Sequence, residues 1–428
     1  MPASSSSKKT STRFYGWFAL TGVMLIIFTV GGLFVQTFGV FMPELTEYFG
    51  WPRGDISLAL SIGMMAFGLP SPLFGVIVAR LGPKKALVWG NMLACIGVAL
   101  LALIQQPWHM YLLYVFIGFT AGFGGFVACT TVVANWFVEK RPLALGLFTA
   151  SGGLGGFVFP PLAAWLIEAL GWQLAWVALA GMVFLVGVVL GGMILTRDRP
   201  EDMGQLPDGA PPLPYTDIKA GKEIMPAKPP STVELLKSLL KSRVVWLVGG
   251  FAGANAFALG TMTTHQVAYL QDIGFTSLSA ASTMSLMNAM SFIGSISFGV
   301  LAQRVSVRKL SLGAFILELA GVLILIFSQQ PSLLYIYAAL LGLGNGALQT
   351  AMPTFIGLRF HGQEYSQAFG IILPFQVVSQ SISAFVAGAI FDASASYAAA
   401  FYLVAIFIAL GGVFVAFTPD EKPHTVRR

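Results

Sequence analysis

Asparagine, glutamine, serine and threonine recur at helical spacing inside long apolar runs of this chain. Asn255, Thr261 and His265 share one run, the last two four residues apart. Asn288, Ser291 and Ser295 follow at steps of three and four, and the pairs Asn345/Gln349 and Gln376/Gln380 are each four apart. Such steps put side chains on one helix face. Gln36 stands alone in an earlier run, and Thr131 has Asn135 one turn on. An unsatisfied polar group in an apolar run is costly, so these residues face a partner helix or a cavity. The chemistry on offer is neutral hydrogen bonding, either to a small solute or between helices. Two titratable groups join them. His265 lies about 12 Å from the middle of its run, and an imidazole exchanges a proton near neutral pH. Glu318 is mid-run, where a carboxyl group must be protonated or paired. Each is a site for proton coupling or simply a structural partner. We find no nucleotide-binding loop, no His/Cys metal cluster and no hydrolytic triad; Gly122–Gly125 falls inside a run and is no phosphate cradle. No enzyme activity, cofactor or metal is expected.

The elements that must hold these residues follow from composition. The chain of 428 residues is 56% hydrophobic and only 10% charged, against about 25% charged for soluble domains. Lipid is therefore its solvent, and helices that satisfy their own backbone are the elements that suit it. We read an all-α membrane protein of twelve spans, at 15–42, 54–79, 85–105, 110–137, 141–168, 173–195, 243–271, 277–302, 308–328, 332–358, 365–391 and 396–418. Residues 1–14 form a tail, 15–195 and 243–418 two six-helix bundles, 196–242 a polar linker and 419–428 a second tail. The first run is too long for a signal-peptide core, so it is expected to be retained. Within the linker, 231–241 has the pattern of a short amphipathic surface helix. Lys and Arg gather in loops on one side, with Arg53 alone opposite, so a cell-membrane protein with both termini cytoplasmic is expected. The net charge of +6 is thus a topology signal, and no nucleic-acid partner or obligate protein partner is expected. Cys95 and Cys129 lie inside runs and read as small core residues.

The two bundles are copies. GVIVARLGPKK at Gly75–Lys85 returns as GVLAQRVSVRK at Gly299–Lys309, an offset of 224, the difference between 299 and 75. Gln105-Gln106-Pro107, Gly118, Gly122 and Gly146 recur at the same offset as Gln329-Gln330-Pro331, Gly342, Gly346 and Gly370. Parallel repeats related by an axis along the membrane normal are a transporter architecture. Gly75, Arg80 and Lys84 in one turn, with Arg304 and Arg308 in the other, form an expected cytoplasmic gate. Gly152 and Gly156 make the fifth span thin, either as a sliding seam between halves or for plain close packing.

These turns resemble the signature loop of the major facilitator superfamily, G-x-x-x-D-R-x-G-x-K/R-K/R. Gly75, Arg80, Gly82, Lys84 and Lys85 match, with Ala79 in place of Asp; the second copy has Gln303 there and Ser306 for the second Gly. Arg13–Trp17, Gly50–Ser57, Asn135–Phe137 with Lys140-Arg141, Gly171-Trp172, Arg199–Gly204 and Pro207–Gly209 together are similar to the monocarboxylate and oxalate/formate transporter branch. The resemblance implies a central cavity lined by the first, fourth, seventh and tenth helices, with the second, fifth, eighth and eleventh beside them. On that layout the polar residues converge on a midplane site between the halves. It also implies a monocarboxylate substrate. Yet Ser295 stands where the branch carries a substrate Arg, and Gln376, Gln380 and Gln36 stand near positions where members carry Lys. The expected function is secondary transport of a small organic solute, monocarboxylate-type, by alternating access, either by facilitated diffusion, the simpler default, or with proton symport through His265 or Glu318. An exporter of apolar or drug-like compounds is the second reading. A receptor on a transporter scaffold is the third, and would need a large soluble signalling domain.

Overall fold

Lipid leaves a backbone amide no water to bond, so each apolar run closes its hydrogen bonds within a helix. A computed structural model describes residues 14–51, 53–209, 232–275, 277–327, 330–394 and 396–419. Residues 1–13 and 420–428 of the tails, residues 210–231 of the linker, and Pro52 and Gln329 of the quoted motifs lie outside the described residues. Helix α1 runs from Gly16–Gly31 through a π-helical turn, Gly32–Gln36, into Phe38–Phe49, and ends on Gly50 at φ 69°. Helix α2 is Arg53–Gly68 followed by Ser71–Leu81, bent by 50°; Pro70 at the break has no N–H for the ladder. Helix α3 is Pro83–Leu103. Helix α4 is Pro107–Gly124 and Phe126–Trp136, broken at Gly125. The amide of Asn91 repairs that break by donating to Gly124 O at 2.7 Å.

The helical stretch Arg141–Met182 is interrupted at Gly171, φ 78°, which separates α5 (141–170) from α6 (172–195). After the linker come α7 (Thr232–Lys241), α8 (Arg243–Asp272), α9 (Ser277–Leu301), α10 (Val307–Phe327), α11 (Pro331–Arg359), α12 (Gln363–Ser394) and α13 (Ala398–Phe417). Helices α1–α6 and α8–α13 are the two sixfold bundles expected, and α7 is the amphipathic helix. Three expected spans differ from the helices found. The first continues to Phe49, the second is bent at its proline, and the fourth is broken at Gly125.

The repeat determines how the bundles meet. A β-carbon at Gly75 on α2 would lie 2.5 Å from Ser366 O on α12, and one at Gly299 on α9 would lie 2.6 Å from Pro142 O on α5. These two contacts are the same contact, 224 residues apart. Gly146 against Ser295 O (2.6 Å) and Gly370 against Ser71 O (2.3 Å) repeat the relation. The hydroxyl of Ser71 donates to Gly370 O at 2.8 Å. All of these residues lie toward the end that carries the basic turns, so the halves are closed there. Toward the other end of α5, a β-carbon at Gly153 would meet nothing within 4 Å. The small residues expected to form one seam therefore divide. Gly146 meets the other half, whereas Gly155 and Gly156 pack on Phe28, Gly32 and Gln36 of α1. Cys95 and Cys129 are buried and unbridged.

Candidate functional site

A chain of polar side chains crosses the middle of the second bundle. Glu318 on α10 is buried, 1% exposed, and its Oε1 accepts from Asn255 Nδ2 of α8 at 2.9 Å. That amide also approaches Asn345 Oδ1 of α11 at 3.5 Å, and Asn345 Nδ2 donates to Ser291 Oγ of α9 at 3.4 Å. Four helices thus supply one relay. Room for it comes from Gly344, where a β-carbon would lie 2.6 Å from Glu318 Cγ. Glu318 Oε2 is buried and has no hydrogen-bond partner. The relay runs from Glu318 Oε1 to Ser291, which is half-buried. Asn288, one turn further from the basic end on the same face of α9, is exposed. Ser295, one turn nearer the basic end, donates to Gly346 O at 2.9 Å and lies against Gly146 of the other half. The backbone of Ser295 thus sits at the contact between the bundles, about two turns from the exposed Asn288 on the same helix.

Several expected site residues sit elsewhere. Thr131 Oγ1 donates back to Val127 O at 2.7 Å within its own helix. Thr261 is buried with its hydroxyl unpartnered. His265 lies ten residues beyond Asn255 on α8, about 15 Å along the axis. Its Nδ1 is 3.3 Å from Tyr397 OH, in a ring cluster that includes Phe391 and Phe401. Gln36 is exposed with its side chain over Gly156. Gln349 and Gln376 are half-buried, as is Gln380, which packs on Gly260 of α8. The structure therefore gathers Asn255, Ser291, Asn345 and Glu318, with Ser295 adjoining, and separates His265 from them.

Residues besides the expected gate also hold the basic end. Arg80 and Arg304 are exposed, Arg308 is half-buried, and Lys84 Nζ donates to Met193 O within its own bundle. Arg141, read from sequence as a loop cation, is buried at 5% exposure. Its guanidinium donates to Phe137 O (2.8 Å) and Ala134 O (2.9 Å) at the end of α4, and to Gly357 O near the end of α11 in the other half. A guanidinium has five N–H donors, and helix C-termini present unpaired carbonyls with negative partial charge. One cation thus joins two helix ends across the interface. Thr149 and Thr350 face each other across it at 2.9 Å, and Gln363 Nε2 donates to Ala79 O at 3.4 Å.

The linker supplies the carboxylate absent at position 79. Asp198 Oδ1 accepts from Lys84 N at 2.6 Å, capping α3. Asp208 accepts from the backbone amides of Val138 (2.8 Å), Glu139 (2.7 Å) and Lys140 (3.3 Å), just ahead of α5. Trp136 Nε1 donates to Arg197 O and Asn135 Nδ2 to Asp198 O. The sequence motifs of the first bundle thereby form one knot. Both carboxylates lie in the linker, and nothing in the spacing says which helix start each reaches.

A family model described as Major Facilitator Superfamily matches residues 24–306 and 266–428. Monocarboxylate transporter 13 of Rattus norvegicus is 26% identical over 411 residues, covering 94% of this chain and 88% of its own length. Monocarboxylate transporter 12 of Mus musculus is 24% identical over 431 residues, covering 95% and 86%. The crystal structure of the major facilitator transporter FucP in the outward conformation matches with a TM-score of 0.75 at 17% identity, covering 96% of this chain and 100% of that one. This last likeness is one of fold alone. By sequence as well as by architecture the chain belongs to the Major Facilitator Superfamily, as a multi-pass membrane transporter and not an enzyme.

Proposed function

We propose that this transporter moves a small monocarboxylate-type solute together with a proton, by alternating access, with Glu318 as the proton carrier. The observation that carries the reading is the relay from the buried Glu318 through Asn255 and Asn345 to Ser291. A buried carboxyl group in a membrane bundle is costly and marks an ion or proton path. The names of the relatives support the substrate class. The relay contains no Lys or Arg, and a carboxylate held by neutral donors alone is held weakly. Carrying a proton with the solute makes the moving load neutral and removes that cost. The basic turns then face the cytoplasm, by the charge rule for membrane loops. On that orientation the contacts between the halves at the basic end close the cytoplasmic side.

Uptake of labelled lactate into proteoliposomes, with and without an inward proton gradient, tests this. Wild-type protein is expected to accumulate substrate only with the gradient. Glu318→Gln is expected to lose gradient-driven accumulation by about tenfold or more while keeping substrate exchange at equal pH on both sides, because a glutamine keeps the bond to Asn255 but carries no proton. Equal accumulation by both proteins would overturn the proton role. The same neutral relay also suits apolar or drug-like compounds. Transport of such compounds, with no transport of small carboxylic acids, would favour an exporter instead.

A further inference from the structure

Helix α7 has three kinds of surface around its axis. Leu235 and Leu239 are buried, at 5% and 2% exposure, against the bundle, where the helix packs on α8 and α12. Val233 and Leu240, at 60% and 48%, form a second apolar strip that the protein does not cover, with the half-buried Leu236 between the two strips. Lys237 and Lys241 are exposed, and at about 100° per residue Lys237 lies about 60° beyond Leu240. Glu234 and Ser238 come next, completing the circuit on the polar side. A helix with one apolar strip in the protein, another uncovered and lysines along the border lies in a membrane interface.

The neighbouring residues continue this surface. Trp246, 51% exposed, donates its indole N–H to Leu240 O at 2.8 Å, so its ring extends the uncovered strip. Arg243 holds its guanidinium 6.0 Å over the exposed ring of Phe417, at the end of α13. Tryptophan and arginine at a helix end mark the headgroup level. The strip is therefore continuous with the lipid-facing surface of α8 and α13, and three cations stand where phosphates lie.

We propose that α7 and Arg243 form a binding site for anionic phospholipid in the leaflet at the basic end, with Lys237, Lys241 and Arg243 taking the headgroup phosphates. The inference requires only that the chain spans a bilayer, and is independent of the proton role of Glu318. It has a mechanical side. Helix α7 packs on α12, which carries Ser366 and Gly370 to the closed interface, so the lipid is attached to a moving part.

The test uses the full chain in nanodiscs of phosphatidylcholine doped with spin-labelled phosphatidylglycerol or spin-labelled phosphatidylcholine. Wild-type protein is expected to hold the anionic probe in preference to the neutral one. The preference should fall about fivefold for each of Lys237→Gln, Lys241→Gln and Arg243→Gln. Lys237→Arg with Lys241→Arg should keep it, and Lys309→Gln on the basic turn should leave it unchanged. Inorganic phosphate should displace the probe no better than chloride at equal ionic strength. Equal retention of both probes by wild-type protein, or a triple glutamine variant that keeps the preference while eluting as a folded monodisperse species, would overturn the site. Selective displacement by phosphate would overturn it in favour of a free-anion site.

Discussion

Arg141 and Glu318 are both buried charged side chains, and they do different work. Arg141 donates to three carbonyl oxygens, and one of them, Gly357 O, belongs to the other half. That bond breaks whenever the basic end opens. A hydrogen bond to a charged group contributes about 2 kcal/mol, roughly thirtyfold in the ratio of closed to open forms. Arg141→Gln is therefore expected to raise accessibility at the basic end, read as faster labelling of single cysteines placed there, with little change in expression. Unchanged labelling would remove Arg141 from the latch. The sequence does not set Arg141 apart as a latch, because a cation beside Lys140 looks like any loop cation. What sets Arg141 apart is its distance from carbonyls at positions 134, 137 and 357, which no spacing rule delivers. Glu318 was visible as an acid in an apolar run. Its partners were not, since Asn255 and Asn345 lie on other helices whose register depends on packing.

At the scale of elements, the offset of 224 residues carries further than a sign of duplication. The counterparts of Asn255, Ser291, Glu318 and Asn345 in the first bundle are Gly31, Phe67, Ala94 and Ala121. The relay thus sits where the copies diverge, and the interface sits where they agree. That contrast was legible in the sequence as soon as the copies were aligned, whereas the bend of α2 at Pro70 and the break of α4 at Gly125 needed the packed helices. Agreement also makes a prediction. Gly146→Val and Gly370→Val occupy equivalent places, each facing a backbone carbonyl closer than 3 Å to a would-be β-carbon. Overpacking of this kind costs about 1–3 kcal/mol. The two variants should slow transport by similar factors and shift both proteins toward opening at the basic end. A large effect from one and none from the other would show that the two crossings are not mechanically equivalent.

For the whole molecule, the closed end predicts a conformational lock. Thr149 and Thr350 place their hydroxyl oxygens 2.9 Å apart across the interface. Thr149→Cys with Thr350→Cys should cross-link under oxidation, stop transport, and recover on reduction. Continued transport with the link formed would contradict rocking about this seam. The first bundle is strapped by its own linker, since Asp198 and Asp208 tie α3 and α5 to the segment leaving α6. It should therefore move as one piece, with the flexing confined to its partner. The glycine crossings have a last consequence, for inheritance. They are made of backbone, so they place almost no demand on which side chains surround them. On the function proposed above, a descendant that exchanged residues 255, 291, 318 and 345 would take a new cargo while keeping these crossings. Lineages built on this chain can diversify in what they carry without relearning how to carry it.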